Sequence, residues 1–377
     1  MSAPTQSQIA RRLGVSRSTV AAALNPTSAV KLSAATRRNV LREAGRVHYR
    51  PDRYAQIMRT GRSGLIGLFQ FGATYQVATE RAWHASRAIE AAGYGIVVND
   101  ASWTEEGAKN GCEAMIDARA EGVIVMGLRN PAESAHLNLL RTAKIPIVTL
   151  SGNRFPESPL IRADARDAIG RMTRHLIGLG HRHLLLLFSL GFAGHSRKPF
   201  WAGHERLAGF TAAISKCGGS MVPAFSAPGK SRIEGIADDH EMPPDRFDPF
   251  RQGHDAMARI LRAPIIPDAV ICANDYWAIG AMSACRRAGL RVPTDIAITG
   301  FDNTSSGEYL DVPLTTVAQP NEAMAQRAAE ILIAMIRQPR TTKPPGVVKF
   351  PCDLVIRQSC GSPGASPAPA RGRKTRH

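Results

Sequence analysis

Thr5-Gln6-Ser7-Gln8-Ile9-Ala10-Arg11-Arg12-Leu13-Gly14-Val15-Ser16-Arg17-Ser18-Thr19-Val20-Ala21-Ala22-Ala23-Leu24-Asn25 is the stretch from which the rest of the chain is best read. Its first four residues have the capping-box pattern: the hydroxyl of Thr5 caps a helix and the amide of Gln8 reaches back. Ile9, Ala10 and Leu13 form an apolar stripe at helical spacing, and Gly14 supplies the stop. Ser16 caps a second helix running through Leu24, whose inward residues are Val15, Val20 and Leu24. Helix, short glycine-containing turn, helix is the helix-turn-helix plan, in which the second helix can enter a DNA major groove. A third helix, predicted from Ser33 to Arg46, buries Val40, Leu41 and Ala44 and turns Arg37, Arg38 and Arg42 outward. Three such helices can close a small core. Pro51 then breaks the chain, and Asp52 to Thr60 can form one more short helix before Gly61.

Charge is distributed unevenly around this segment. The 377 residues carry a formal charge of +17, from 48 Lys and Arg against 31 Asp and Glu. Residues 1–62 hold twelve bases against two acids, a balance of +10, and residues 361–377 hold four bases and no acid. The 298 residues between them keep 32 bases and 29 acids, only +3. A basic end on a near-neutral body suits a polyanionic partner, although charge alone is equally compatible with a solvated face. At 44% hydrophobic residues, a chain of this length is globular and divides into two or three domains. No apolar run reaches the roughly 18 residues of a membrane span, and the N-terminus has no apolar segment of signal-peptide type, so no membrane role is expected. Six cysteines show no metal-type pairing, and buried thiols in a reducing cytoplasm fit them best.

Ile9 to Val20, followed by Leu24-Asn25, resembles the DNA-binding headpiece of the lactose/galactose repressor (LacI/GalR) family. So does Tyr49-Arg50-Pro51-Asp52, which precedes Arg59-Thr60-Gly61-Arg62-Ser63 at the family's spacing. The resemblance implies roles residue by residue. Arg17 and Ser18 take the start of the recognition helix, where base edges are read; an Arg gripping guanine O6 and N7 supplies about 1–3 kcal/mol of discrimination. Thr5, Ser16, Thr19, Asn25 and Tyr49 also match DNA-contacting positions, with Ser16, Thr19, Asn25 and Tyr49 on the phosphate backbone. In the hinge helix, Ala55 takes the small-residue position and Met58 that of the wedge which opens a minor-groove step. Ala21 and Ala22 stand where many members have Ser and Arg, and the chain between Val30 and Thr36 is slightly longer than the commonest pattern.

The body alternates short apolar runs with helical stretches. Strands are predicted at Leu65–Phe69, Ile96–Val98, Gly122–Met126, Pro146–Leu150, Leu184–Phe188, Ala269–Cys272 and Ile296–Gly300. Helices fall between them, near 108–119, 132–143 and 278–288, with others ending at Ala92 and Leu179. Two such series imply two doubly wound lobes with a cleft at the carboxyl ends of the strands. The family resemblance runs on through Glu121-Gly122-Val123-Ile124, Leu179-Gly180-His181, Arg206-Leu207-Ala208-Gly209-Phe210, Ala273-Asn274-Asp275, Gly300-Phe301-Asp302-Asn303 and Pro313-Leu314-Thr315-Thr316-Val317. It implies an α/β fold: an N-terminal all-α helix-turn-helix headpiece plus a two-lobed, doubly wound, periplasmic-binding-protein-like (type I) effector domain. The expected division is headpiece 1–50, hinge 51–62, effector-binding and dimerisation domain 63–360, and a disordered basic tail 361–377.

By the same resemblance Arg206, Asn274 and Asp302 match effector-contacting positions, a fork of donors, an amide and an acceptor. Ser151 takes a fourth, where sugar-binding members often have Asp. Arg154 and Arg162 lie near it in sequence; they are read either as surface residues or as a preference for a sugar acid or sugar phosphate. Phe247 and Phe250 are read as packing residues rather than as a stacking face. Gly180-His181-Arg182-His183 is read as structural rather than metal-binding. Trp83 and His84 lie on a helix face that the family tends to use for dimerisation. No Gly-x-Ser-x-Gly, His-Glu-x-x-His or phosphate-loop pattern occurs, so enzyme chemistry and a cofactor are not expected. The resemblance thus implies a cytoplasmic homodimeric repressor that binds a pseudo-palindromic double-stranded operator and responds to a small effector, a sugar or sugar derivative. The alternative is a solute-binding protein that delivers a small molecule to a transporter.

Overall fold

A computed structural model describes residues 4–24, 30–49, 61–70, 76–101, 105–128, 131–187, 201–218, 220–221, 248–339 and 345–363. The expectations placed on Asn25, Ala55, Met58 and Phe247, and on the tail beyond Pro363, lie outside them. The chain divides into two compact units, Met1–Ser63 and Gly64–His377.

In the first unit, α1 (Gln6–Leu13), α2 (Arg17–Leu24) and α3 (Ala34–Arg46) enclose a core of Ile9, Ala10, Val20, Ala23, Val40 and Ala44. Two of the readings of α3 are corrected. Leu41 is exposed, because helical spacing from Val40 and Ala44 carries it off the buried face. Arg37 does not point out: it lies half-buried and donates through Nη1 to the Ala23 carbonyl at 3.3 Å, satisfying one of the free carbonyls at the end of α2.

The second unit holds two parallel sheets. In the first lobe, β1 (Leu65–Gln70), β2 (Gly95–Asp100), β3 (Gly122–Leu128), β4 (Ile147–Gly152), β5 (Leu160–Ala163) and β11 (Val347–Phe350) run in the order β11-β5-β4-β3-β1-β2. The intervening helices are α4 (Gln76–Ala91), α5 (Glu105–Asp117) and α6 (Pro131–Thr142). In the second lobe, β6 (His183–Leu187), β7 (Ser220–Met221), β8 (Ala269–Cys272) and β9 (Ala297–Thr299) run in the order β7-β6-β8-β9. With them go α7 (Ala165–Gly178), α8 (Trp201–Cys217), α9 (Pro249–Ile260), α10 (Asp275–Arg287) and the short α11 (Ser305–Glu308). The central strands β1, β3, β6 and β8 are buried along most of their length, as strands covered on both faces must be.

Three crossovers join the lobes. The first runs from β5 into α7. The second leads from β10 (Thr316–Ala318) into α12 (Asn321–Arg337), which packs on α4 and on the first lobe's β3 and β4. The third leads from β11 into β12 (Asp353–Val355), which pairs antiparallel with β10. The chain then closes on the second lobe, where the Ser359 hydroxyl donates to the Ile298 carbonyl at 2.6 Å. The elements not read from sequence are β5, β7, β10, β11 and β12, none longer than four residues, together with α8, α9, α11 and α12. Residues 361–363, expected to begin the tail, are tied in: the hydroxyl of Ser362 lies 3.2 Å from His175 Nε2. Five of the six cysteines are buried as expected, but Cys217 is exposed at the end of α8.

Candidate nucleic-acid interface and interlobe site

On the headpiece, the backbone N–H of Gln8 donates to Thr5 Oγ1 at 3.3 Å, and the N–H of Thr5 donates to Gln8 Oε1 at 2.8 Å, closing the capping box. Gly14 takes φ 65°, the left-handed conformation that ends α1. Ser16 Oγ accepts from the backbone N–H of Thr19 at 3.0 Å and lies 2.7 Å from Ser18 Oγ and 2.8 Å from Thr19 Oγ1. Three hydroxyls are therefore knit together at the start of α2, where exposed backbone N–H groups and the positive end of the helix dipole favour an anion. Arg17 and Ser18 are exposed beside them, and Tyr49 leans half-buried on the core. Ala22 is turned inward, at 6% exposure, so this face of α2 presents no side chain of any length there.

One ion cluster fixes the packet. Glu43 on α3 accepts from Arg46 Nε at 2.8 Å and from Arg12 Nη1 of α1 at 3.1 Å. The Arg46 hydrogen bonds, and then that of Arg12, hold its carboxyl down at about 2. Sequence reading missed this pair, since Arg12 and Glu43 lie on different helices.

Three of the four cleft residues come together at the carboxyl ends of β8 and β9. Arg206 on α8 donates through Nη1 to the Ala273 carbonyl at 2.7 Å, and its guanidinium lies 4.2 Å above the Phe301 ring. Its Nε is buried and has no hydrogen-bond partner among the described residues. Asn274 precedes α10 and caps it, its Oδ1 accepting from the Trp277 N–H at 2.9 Å; this cap is why the helix begins at Asp275, three residues before the predicted start. Asp302 follows β9 at φ 116° and accepts from Gln319 Nε2 at 2.5 Å. Burial pushes its carboxyl up, while the nearby charges of Arg206 and Arg81 pull it down.

Ser151 is the penultimate residue of β4 in the first lobe, at φ 65°, and Gly152 ends the strand at φ 90°. The described contacts do not join it to the Arg206 group. Of the two nearby arginines, Arg154 is exposed, as the surface reading has it, whereas Arg162 is half-buried. Arg154 donates to the Ser158 carbonyl at 2.8 Å within its own loop, and Arg162 faces Glu205 at 3.7 Å. The reading of both as bait for an acidic ligand therefore loses its support, because one is spent locally and the other already has its carboxylate. Phe250 meets Tyr276 edge to face at 5.0 Å, in keeping with a packing role. His181 lies 3.8 Å from Asp268, and His183 Nδ1 lies 2.9 Å from Ser220 Oγ. Among the described residues no group of His, Cys, Asp and Glu could hold a metal ion.

Residues that sequence reading missed complete the site. Arg81 of α4 donates to Gln319 Oε1 at 2.7 Å and to Asn321 Oδ1 at 2.8 Å, and Asn321 in turn donates to Glu80 at 2.9 Å. Gln319 thus spans the second crossover, accepting from the first lobe and donating to Asp302 of the second. The N–H of Gln76 donates to the Tyr276 hydroxyl at 3.0 Å, a further link between the lobes. Asp275 is fully buried; it accepts from Thr316 Oγ1 at 2.5 Å and from the N–H and hydroxyl of Thr304 at 2.6 and 3.1 Å. Burial raises its carboxyl to about 7 against those donors. Only contacts between residues far apart in sequence reveal these roles.

A helix-turn-helix unit ahead of a two-lobed, parallel-sheet body defines a class of regulators built on the periplasmic-binding-protein plan. Residues 173–360 match the periplasmic binding protein-like domain. Similar proteins include the transcriptional repressor PurR of Pasteurella multocida, 27% identical over 359 residues and covering 95% of this chain and 99% of the relative. The repressor CytR of Escherichia coli K12 is 28% identical over 364 residues, covering 95% and 96%. Among solved structures, the Lac repressor dimer bound to operator and an anti-inducer shares the fold with a TM-score of 0.76 at 22% identity, covering 95% and 99%. These likenesses support placing the chain with the LacI/GalR family of repressors. No described helix is long and apolar enough to cross a membrane.

Proposed function

We propose that this chain is a sequence-specific DNA-binding transcriptional repressor, acting in the cytoplasm as a homodimer and controlled by a small molecule bound between its lobes. The observation that carries this reading is the exposed, hydroxyl-capped start of α2, Ser16-Arg17-Ser18-Thr19, on a unit whose net charge is +10. Arg17 and Ser18 read base edges, while Ser16, Thr19 and Tyr49 hold phosphates and set register. Thr5 supports the cap of α1 and so stiffens the helix that braces the reader. Asn25 and the hinge residues Ala55 and Met58 complete the interface by family resemblance. The repressors named above support a regulatory rather than an enzymatic role.

Arg206, Asn274 and Asp302, with Ser151 across the cleft, are the proposed effector contacts. Arg206 Nε needs an acceptor and the amide nitrogen of Asn274 can donate, so the ligand carries both kinds of group. A gel-shift survey of genomic fragments at physiological salt tests the reading. The intact chain should retard a discrete fragment, and a version lacking residues 1–62 should not. Absence of any specific fragment sinks the proposal. The truncated body should still gain thermal stability from the true ligand, by about 2.7 kcal/mol at 100 times its dissociation constant. A solute-binding protein would be indifferent to loss of residues 1–62 in both assays.

A further inference from the structure

We infer that Glu205 latches the two lobes together and so positions Arg206, its neighbour on α8, in the cleft. Arg162 on β5 and Lys349 on β11 are register partners on adjacent parallel strands of the first lobe, which sets two like charges side by side. Glu205 reaches both from the second lobe: Oε1 lies 3.7 Å from Arg162 Nη2 and Oε2 lies 3.5 Å from Lys349 Nζ. Lys349 Nζ is also 3.7 Å from Asp164, which caps α7 at the first crossover. Two cations and two carboxylates therefore straddle the point where the chain leaves one lobe for the other.

The geometry makes this more than a surface pair. The Arg162 side chain is only 12% exposed and that of Glu205 24%, so solvent screens the cluster less than it would an exposed one. Rotation of the lobes withdraws Glu205 from both cations at once and leaves Arg162 beside Lys349 with less negative charge between them. The same turn of α8 aims Arg206 at the Ala273 carbonyl and the Phe301 ring. Breaking the latch frees α8 to shift and loosens Arg206 from that seat. The latch stands on these contacts alone; only its consequence for ligand binding rests on the cleft being the effector site.

Spin-label distance measurement on the full chain, without DNA or small molecule, tests it. One label goes on Cys217, the exposed cysteine at the end of α8, and the other on a Lys109→Cys variant of the exposed α5 position in the first lobe. The unmodified latch should give one narrow distribution. Glu205→Gln should shift and broaden it, Lys349→Gln should do so to a smaller degree, and Arg162→Gln added to Glu205→Gln should change nothing further. Lys349 is the most exposed member, so its variant keeps the test alive if Glu205→Gln does not fold. Distributions that superimpose on the parent's in every folded variant overturn the latch. For the positioning role, the Arg206 Nε–H resonance, shifted by the Phe301 ring, should move toward that of a free arginine in Glu205→Gln; an unmoved resonance overturns it. A latch found in a chain that retards no DNA fragment would sink the regulatory proposal and leave the latch standing.

Discussion

At the scale of single residues, Asp275 is the most informative group of the second unit. Its carboxyl sits at about 7 because burial opposes ionisation more strongly than the Thr316 and Thr304 donors favour it. The native state thus holds this proton more tightly than the unfolded chain does. The stability it lends is fully present below the ordinary carboxylate range and is lost as pH rises through 7. Urea unfolding from pH 4 to 8 should show this decline in the parent and a flatter profile in Asp275→Asn. The variant should also lose about 1–3 kcal/mol through its mismatched donors. Asp302, raised for the same reason, contributes a slope of the same sign, so the difference between the two proteins is what decides. An identical slope in both would refute the assignment. The residues Asn274, Asp275 and Asp302 were legible as motifs, but their pairings were not: Thr304 and Gln319 are uninformative polar residues until the fold brings them up, and Thr316 was recognised within a run without its role.

At the scale of elements, two close contacts set how helices meet. Gly209 on α8 faces Arg166 at the start of α7, and an added Cβ would run into the Arg166 carbonyl oxygen. That accounts physically for a glycine within Arg206-Leu207-Ala208-Gly209-Phe210, a run recognised from sequence without its reason. Gly209→Ala should cost about 1–3 kcal/mol of stability by forcing α7 and α8 apart, read as a lowered denaturant midpoint at unchanged m-value. In the headpiece, Glu43 joins α1 to α3 through Arg12 and Arg46, with its carboxyl held at about 2. Its contribution is present above the usual carboxylate range and lost as pH falls toward 2. Glu43→Gln should therefore speed amide exchange of α3 at pH 6 and remove the parent's added acid sensitivity; equal exchange rates would show the cluster to be ornamental. Long elements with strong periodicity, such as α1, α3 and β3, could be read directly. The short strands β5, β10, β11 and β12 could not, because three or four residues carry no period and their pairing depends on the crossovers.

At the scale of the whole molecule, the charge partition makes a quantitative statement. The body from 63 to 360 carries only +3, so ionic binding to phosphates should come from the +10 of residues 1–62 and the +4 of residues 361–377. Each phosphate neutralised contributes about 0.9 to the slope of log K against log salt on duplex DNA. Removing residues 364–377 takes away all four tail bases while sparing Ser362 and its contact with His175. If the tail touches the operator, the slope falls by up to about 4, with affinity lost evenly across sequences. If it does not, slope and affinity stay unchanged. Arg17→Ala should behave differently, relaxing discrimination at one base pair by about 1–3 kcal/mol while lowering the slope by about one at most. Titrations of both variants across a salt series separate a residue that reads sequence from a tail that only holds phosphate.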